Sequence, residues 1–232
     1  MRKKHKRQIK ATGDAAARYE RLSHSGSIWF DLMPTPADGA DGGTFVPVPP
    51  APAVANWPAF DGSSWVDLGQ PVKMDFPDAF SIAFWSKQSV DAPPGSERIV
   101  ARDQGGFGRA YIAQGVDTTG AFSHMLWGIG FPAPTYKIVT TPANPLGLWR
   151  YATYINEGVG KDLVAFVDGV EQARTVGGGG AMVLAPVNTL FGRDGVASAT
   201  YQGDLDTVRF YSRTLSADEI MRDYNAGKTA HP

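Results

Sequence analysis

The residues able to do chemistry in this chain are few and widely spaced. Five glutamates occur (Glu20, Glu97, Glu157, Glu171 and Glu219), and no two are close enough in sequence to form a paired-carboxylate motif. Glycoside cleavage needs two carboxyl groups about 5–9.5 Å apart across a cleft. Asp204 and Asp206, spaced i, i+2, would share one face of a strand and are the best candidate pair. The four histidines, His5, His24, His124 and His231, are scattered, and only His124 falls in a segment expected to fold. No serine sits in a nucleophile elbow. The glycine run at 177–180 lacks the Lys-Ser/Thr of a phosphate loop and precedes no helix, so it reads as a flexible loop. Cysteine is absent, which removes disulfides, thiolate nucleophiles and cysteine-ligated metals. No catalytic residue is assigned, and a non-enzymatic protein is expected.

Charge narrows the partners. Lys and Arg total 22 against 23 Asp and Glu, but six of the cations (Arg2, Lys3, Lys4, Lys6, Arg7, Lys10) lie in the first ten residues. Residues 11–232 therefore carry a formal charge of −7. A uniformly basic nucleic-acid binder is excluded, and nucleic acid is not expected as a partner. The basic start resembles the first part of an export signal, yet no apolar stretch follows it. Nowhere does an uncharged apolar run approach the ~18 residues of a membrane helix. A soluble chain made in the cytoplasm, without membrane insertion, is the expectation, and zero cysteine agrees with it.

These residues must be positioned by three compositionally distinct regions. Residues 1–23 are charged and Ala-rich, with a short helix expected at 12–22, capped by Thr12 or Asp14. Residues 26–55 are rich in Pro and Gly, which favours extended chain over helix or sheet interior. Together, residues 1–55 read as an arm without a core of its own. Trp29, Phe30 and Phe45 within it must pack on something, either the same chain or a partner. From about residue 57 the pattern is strand, turn, strand, with strands expected at 63–68, 80–87, 98–102, 110–114, 122–128, 136–140, 149–155, 163–167, 189–192 and 202–212. Phe80, Ile82 and Phe84 alternate onto one face, as do Asp206, Val208 and Phe210. Asp168-Gly169 reads as a tight turn. Ser216 and Glu219 form a capping-box signature leading into a helix over 220–225, with Gly227 as its stop. Many strands and one late helix predict an all-β, two-sheet antiparallel sandwich over residues 56–228, followed by a tail at 229–232. A domain of roughly 170 residues can bury ~70% of its extended-chain surface, so no staple is required.

Four blocks in this order carry a family resemblance. They are Phe60-Asp61-Gly62-Ser63-Ser64-Trp65-Val66-Asp67-Leu68-Gly69, Phe80-Ser81-Ile82-Ala83-Phe84-Trp85-Ser86-Lys87, and Trp149–Tyr154 with Leu163–Gly169. The fourth is Gly203-Asp204-Leu205-Asp206-Thr207-Val208-Arg209-Phe210-Tyr211 followed by Leu215-Ser216-Ala217-Asp218-Glu219-Ile220. Across about 57–228 the chain resembles the laminin G-like branch of the concanavalin A-like lectin/glucanase superfamily. The arm has no counterpart there.

The resemblance implies an antiparallel jelly-roll sandwich with an extended N-terminal arm. Glucan-hydrolysing relatives use a Glu-x-Asp-x-x-Glu strand, which this chain lacks, so hydrolysis is not implied. Relatives also hold calcium at one rim through Asp, Asn and carbonyl oxygens. Calcium takes six to eight hard oxygens, and the candidates here are Asp103, Asn156 and Asp194, each of which also reads as a turn residue. Trp65, Trp85, Trp127 and Trp149 could supply a sugar-stacking surface. Trp85 and Trp149 lie in the family's core strands, which leaves Trp127 and Tyr136 as the candidates for an exposed glycan-binding rim. The functional expectation is a non-enzymatic structural protein of a bacteriophage virion, either a capsid decoration or a head or tail surface protein. It would be anchored among other virion subunits, in a homo-oligomer or large assembly, by its arm (Arg2, Lys3, Lys4, Trp29, Phe30, Phe45). The displayed sandwich would meet a host-surface glycan. The alternative is a calcium-dependent carbohydrate-binding module of a bacterial surface or secreted protein.

Overall fold

The computed structural model describes residues 17–20, 29–31, 59–62, 65–69, 76, 78–89, 98–103, 109–114, 121–127, 136–143, 145–180, 188–193, 200–229 and 231. In chain order they form β1 (Ala17–Glu20), β2 (Trp29–Asp31), β3 (Ala59–Asp61), β4 (Val66–Asp67), β5 (Phe80–Gln88), β6 (Arg98–Asp103), β7 (Arg109–Gln114), β8 (Ala121–Trp127), β9 (Tyr136–Ala143), β10 (Arg150–Asn156), β11 (Leu163–Val167), β12 (Val170–Thr175), β13 (Leu190–Phe191), β14 (Gln202–Tyr211) and α1 (Ala217–Gly227). All pairings are antiparallel. One sheet runs β12-β11-β10-β5-β14-β1-β2, with β3 also on β14, and the other runs β4-β13-β6-β7-β8-β9. The sandwich expected from the strand pattern is the observed architecture.

Strand β5 explains the layering. Phe80, Ile82 and Phe84 join the core between the sheets, with Tyr154, Leu163, Val139, Phe191, Leu205 and Phe210. The intervening Ala83 and Trp85 join a second apolar cluster with Tyr151, Ile155, Val164, Phe166, Leu215 and Ile220 of α1. The larger sheet is thus buried on both faces, against the second sheet and against the helix. Period-two alternation that is apolar at every position is the sequence signature of that arrangement. Helix α1 carries the expected capping box: Ser216 accepts from the Glu219 N–H, and the Glu219 carboxylate accepts from the Ser216 N–H. Among the described residues, no helix is long and apolar enough to cross a membrane.

Several local expectations are corrected. Residues 17–20 form a strand rather than part of a helix, pairing Ala17 with Phe210 and Arg18 with Arg209. The edge of β14 not used by β5 offers a row of backbone partners, and β3 and β1 divide it between them. Satisfying that edge outweighs the weak helical bias of an Ala-rich stretch. The hairpin partner of β1 is β2, so Trp29 and Phe30 lie in a strand at the edge of this chain's own sheet. Strand β12 has exposed, charged positions and too little alternation to be recognised. It follows the Asp168-Gly169 turn, where positive φ at both residues (54° and 83°) gives the two-residue hairpin that was expected. The glycine run at 177–180 is pinned rather than flexible. The Gly179 N–H donates to the Lys161 carbonyl, and a Cβ on Gly179 would lie 2.3 Å from the Gly158 oxygen. Gly227 does not stop the helix through a left-handed conformation, since the cap is the right-handed Lys228. Its Cβ would stand 2.5 Å from the Trp85 Nε1, so close packing selects glycine there.

Candidate functional site

Strand β14 departs from regular alternation where its carboxylates lie. Between Asp206 and Arg209 it gains one residue over β5, and Thr207 takes φ of 50°, a conformation that costs a β-branched residue of order 1–3 kcal/mol. The bulge separates Asp206 from the face shared by Leu205, Val208 and Phe210, which corrects the expected Asp206–Val208–Phe210 alternation. Asp206 instead meets His231. The Nε2 of that ring lies 3.0 Å from Asp206 Oδ2, and its Nδ1 lies 2.9 Å from the Gly227 carbonyl oxygen, both within hydrogen-bonding distance. The imidazole stacks on Trp85 with centroids 4.3 Å apart and planes 7° apart, and meets the Trp149 ring edge-on at 4.6 Å. His231, read from sequence as part of a loose tail, therefore belongs to the domain. Burial opposes ionisation of Asp206, but the His231 hydrogen bond and charge prevail and hold its carboxyl below the usual range.

This cluster is structural in character. Beside it, the Tyr211 hydroxyl donates to the buried Asp223 carboxylate at 2.9 Å, and Arg209 pairs with Asp223 at 3.2 Å. These bonds fasten α1 to the sheet, and the Asp206 oxygens accept from His231 and Thr207. Asp206 is thus held by two partners beneath the helix, two residues along β14 from Asp204.

Two other places in the second sheet carry aromatic residues. At one edge of the second sheet, Trp127 and Tyr136 are register partners across β8 and β9. Val139 and Thr141 are buried and Thr140 is exposed, so alternation along β9 places position 136 on the outer face. At the opposite edge Trp65, 40% exposed, precedes β4, and the Arg193 guanidinium lies over its ring, 3.7 Å from the centroid. Strands β4 and β13 pair Val66 with Phe191 and hold these two residues in reach of each other.

A family model described as the concanavalin A-like lectin/glucanases superfamily, laminin G type, matches residues 60–221. The chain belongs to this superfamily. Comparison with curated proteins finds no match. Among solved structures, the carbohydrate-binding domain CBM40 of the Ruminococcus gnavus IT-sialidase, bound to α2,3-sialyllactose, superposes with a TM-score of 0.57 at 14% identity, over 69% of this chain and 92% of that one. The binding domain of Paraclostridial Mosquitocidal Protein 1 gives 0.59 at 13% identity, over 72% of this chain and 42% of that one. Domain 4 of a Geobacillus stearothermophilus arabinanase, in complex with arabinotriose, gives 0.52 at 14% identity, over 71% and 74%. At such identities the likeness is one of fold.

As a concanavalin A-like domain the chain can be tested for the rim calcium. Asn156 does not fit it. Its Nδ2 donates to the carbonyls of Asp78 and Gly180, and its Oδ1 accepts from the N–H groups of Gly158 and Gly180. This buried amide closes two loops, with its oxygen already occupied. The backbone of Asp103 ends β6 opposite Arg109, while Asp194 lies outside the described residues. Among the described residues no group of three His, Cys, Asp or Glu side chains could hold a metal. Arg2, Lys3, Lys4 and Phe45 likewise lie outside the described residues. Trp85 is buried, as the family pattern implies, whereas Trp149 is half-buried against His231. Sequence reasoning missed His231 and Arg193, and neither sits in a motif that would have marked it.

Proposed function

We propose that this chain is a non-enzymatic glycan-binding protein that recognises sugar on the outer face of its six-stranded sheet. The observation that supports this most directly is the β8–β9 register, which pairs Trp127 with Tyr136 across neighbouring strands at the edge of the sheet. Opposed antiparallel residues are close enough to present one continuous aromatic surface, and such surfaces suit the apolar faces of pyranose rings. Two of the superposing domains are bound to oligosaccharides, sialyllactose and arabinotriose, which favours the same reading. A glycan array with the whole chain tests it. Binding to at least one neutral glycan, reduced tenfold or more by Trp127→Ala and Tyr136→Ala at unchanged melting temperature, supports the site. Binding unaltered by both substitutions refutes it.

We further propose display on a bacteriophage particle, with the chain assembled in the host cytoplasm and anchored through its N-terminal region. The charge asymmetry supports this: a cationic first ten residues precede a body of formal charge −7. Because residues 17–20 complete the sheet edge, the informative truncation removes residues 1–16 only. Loss of particle association with retained folding supports anchoring, and undiminished association removes it.

A further inference from the structure

We infer that Trp65 and Arg193 form a second binding site, selective for sugars that carry a carboxylate. It lies beyond the proposed Trp127–Tyr136 surface, at the other edge of the sheet. In the order β4-β13-β6-β7-β8-β9 the two edges are five strand spacings apart, about 24 Å at ~4.8 Å per strand.

The arginine is placed differently from its counterparts. Arg150, Arg174, Arg209 and Arg213 each face a carboxylate within 3.3 Å. Arg193 instead lies flat on an exposed indole, and its buried Nε has no hydrogen-bond partner among the described residues. No carboxylate pairs with its guanidinium in the described structure. A guanidinium stacked on a ring has its edge free for two parallel hydrogen bonds, the geometry that matches a carboxylate.

The site is also held ready. Gly192 donates its N–H to the Ile99 carbonyl at 3.0 Å and accepts from the Tyr201 N–H at 2.7 Å, and Arg193 bridges Thr200. On the other strand, Val66 is buried beneath Trp65 in the register with Phe191. Trp65 thus adjoins β4, and Arg193 is tied by its bridge to Thr200 next to β13.

The ligand chemistry follows from the pair. The indole offers an apolar surface to the C–H face of a sugar ring, and the arginine offers the anion contact. Asp67, two residues along from Trp65, is exposed and would repel a highly anionic chain. Its oxygens accept from Asn188 Nδ2 and the Gly69 N–H, leaving it able to meet sugar hydroxyls. A monocarboxylate sugar suits this mixture better than a polyanion.

The test measures binding of sialyllactose, oligogalacturonate, lactose and poly-glutamate to the full chain, with tryptophan emission as a second readout. Wild type is expected to bind an acidic sugar in preference to lactose at this site. Arg193→Gln and Trp65→Ala should each weaken acidic-sugar binding about tenfold or more with melting temperature unchanged, and Arg193→Lys should weaken it less than Arg193→Gln. Trp127→Ala should leave it intact, which separates this site from the neutral-glycan surface. The inference is overturned if wild type binds no acidic sugar. It also fails if neither Arg193→Gln nor Trp65→Ala changes that binding, or if poly-glutamate competes equally well and charge alone is being read.

Discussion

Two tryptophans in this domain each carry a nitrogen-rich group on one ring face, and they serve opposite ends. Trp85 is 3% exposed and stacks on His231, whose two ring nitrogens are taken up by Asp206 and the Gly227 carbonyl. Trp65 is 40% exposed and stacks on Arg193, whose guanidinium faces no internal carboxylate in the described structure. The first is a parallel ring stack and the second a cation over an indole face. Where every polar atom is spent inside, the contact fastens the helix and the chain end to the sheet. Where the polar atoms are left over, the same contact becomes a surface able to take a ligand. Satisfaction of the polar partner, rather than the tryptophan itself, distinguishes cohesion from recognition.

The largest expected effect separates the two rings by stability. Trp85→Ala should cost about 3–5 kcal/mol, because it removes a buried indole that touches Tyr151, Tyr224 and His231. Trp65→Ala should cost about 1 kcal/mol, since 40% of the residue is already exposed in the folded chain. Denaturant unfolding of both variants checks this, and equal costs would erase the distinction. A smaller effect tests how tightly the Trp85 side is closed. In Gly227→Ala the new methyl group would meet the Trp85 Nε1 at 2.5 Å and Cε2 at 2.9 Å. Overpacking of this kind costs about 1–3 kcal/mol, so the melting temperature should fall by several degrees. A neutral outcome would show that α1 can slide on the sheet and that the buried cluster is looser than its hydrogen bonds indicate.

The two regions also differed in how far they could be read from sequence. The strands bearing both tryptophans were recognisable, because hydrophobic alternation and turn residues are local signals. The capping box of α1 and the Asp168-Gly169 hairpin were equally clear, being fixed by residues adjacent in the chain. What stayed hidden depends on contacts between distant segments. Arg193 gains its role only because β4 and β13 pair. His231 gains its role through a one-residue bulge at Thr207 that no composition rule announces. Gly227 looked like a helix terminator and is instead a clearance for Trp85. Asn156 looked like a metal ligand or a turn residue and proved to be a buried clamp, because its four hydrogen bonds reach Asp78, Gly158 and Gly180. Residues 17–20 failed as a helix because an open sheet edge, invisible in sequence, was available to them.

The smallest expected effect is on the pH dependence of the buried cluster. Burial of Asp206 raises its pKa, yet hydrogen bonding and charge from His231, with further bonds from Thr207, leave it below the ordinary value of 3.8. A carboxyl with a depressed folded-state pKa binds a proton more weakly when folded than when unfolded. Its stabilising contribution is therefore fully present above about pH 4, its unfolded range, and is lost as pH falls through the lower folded value. Asp206→Asn keeps the shape and cannot ionise. At neutral pH it should be less stable than wild type by about 1–2 kcal/mol, the scale of a hydrogen bond to a charged group. Between about pH 4 and pH 2 the two should converge, because wild type loses what the variant never had. Melting temperatures measured across that range decide the matter. A gap that stays constant down to pH 2 would mean that Asp206 contributes by shape alone. The contrast would then rest on how tightly each tryptophan is packed, and no longer on which of them has its polar partner satisfied.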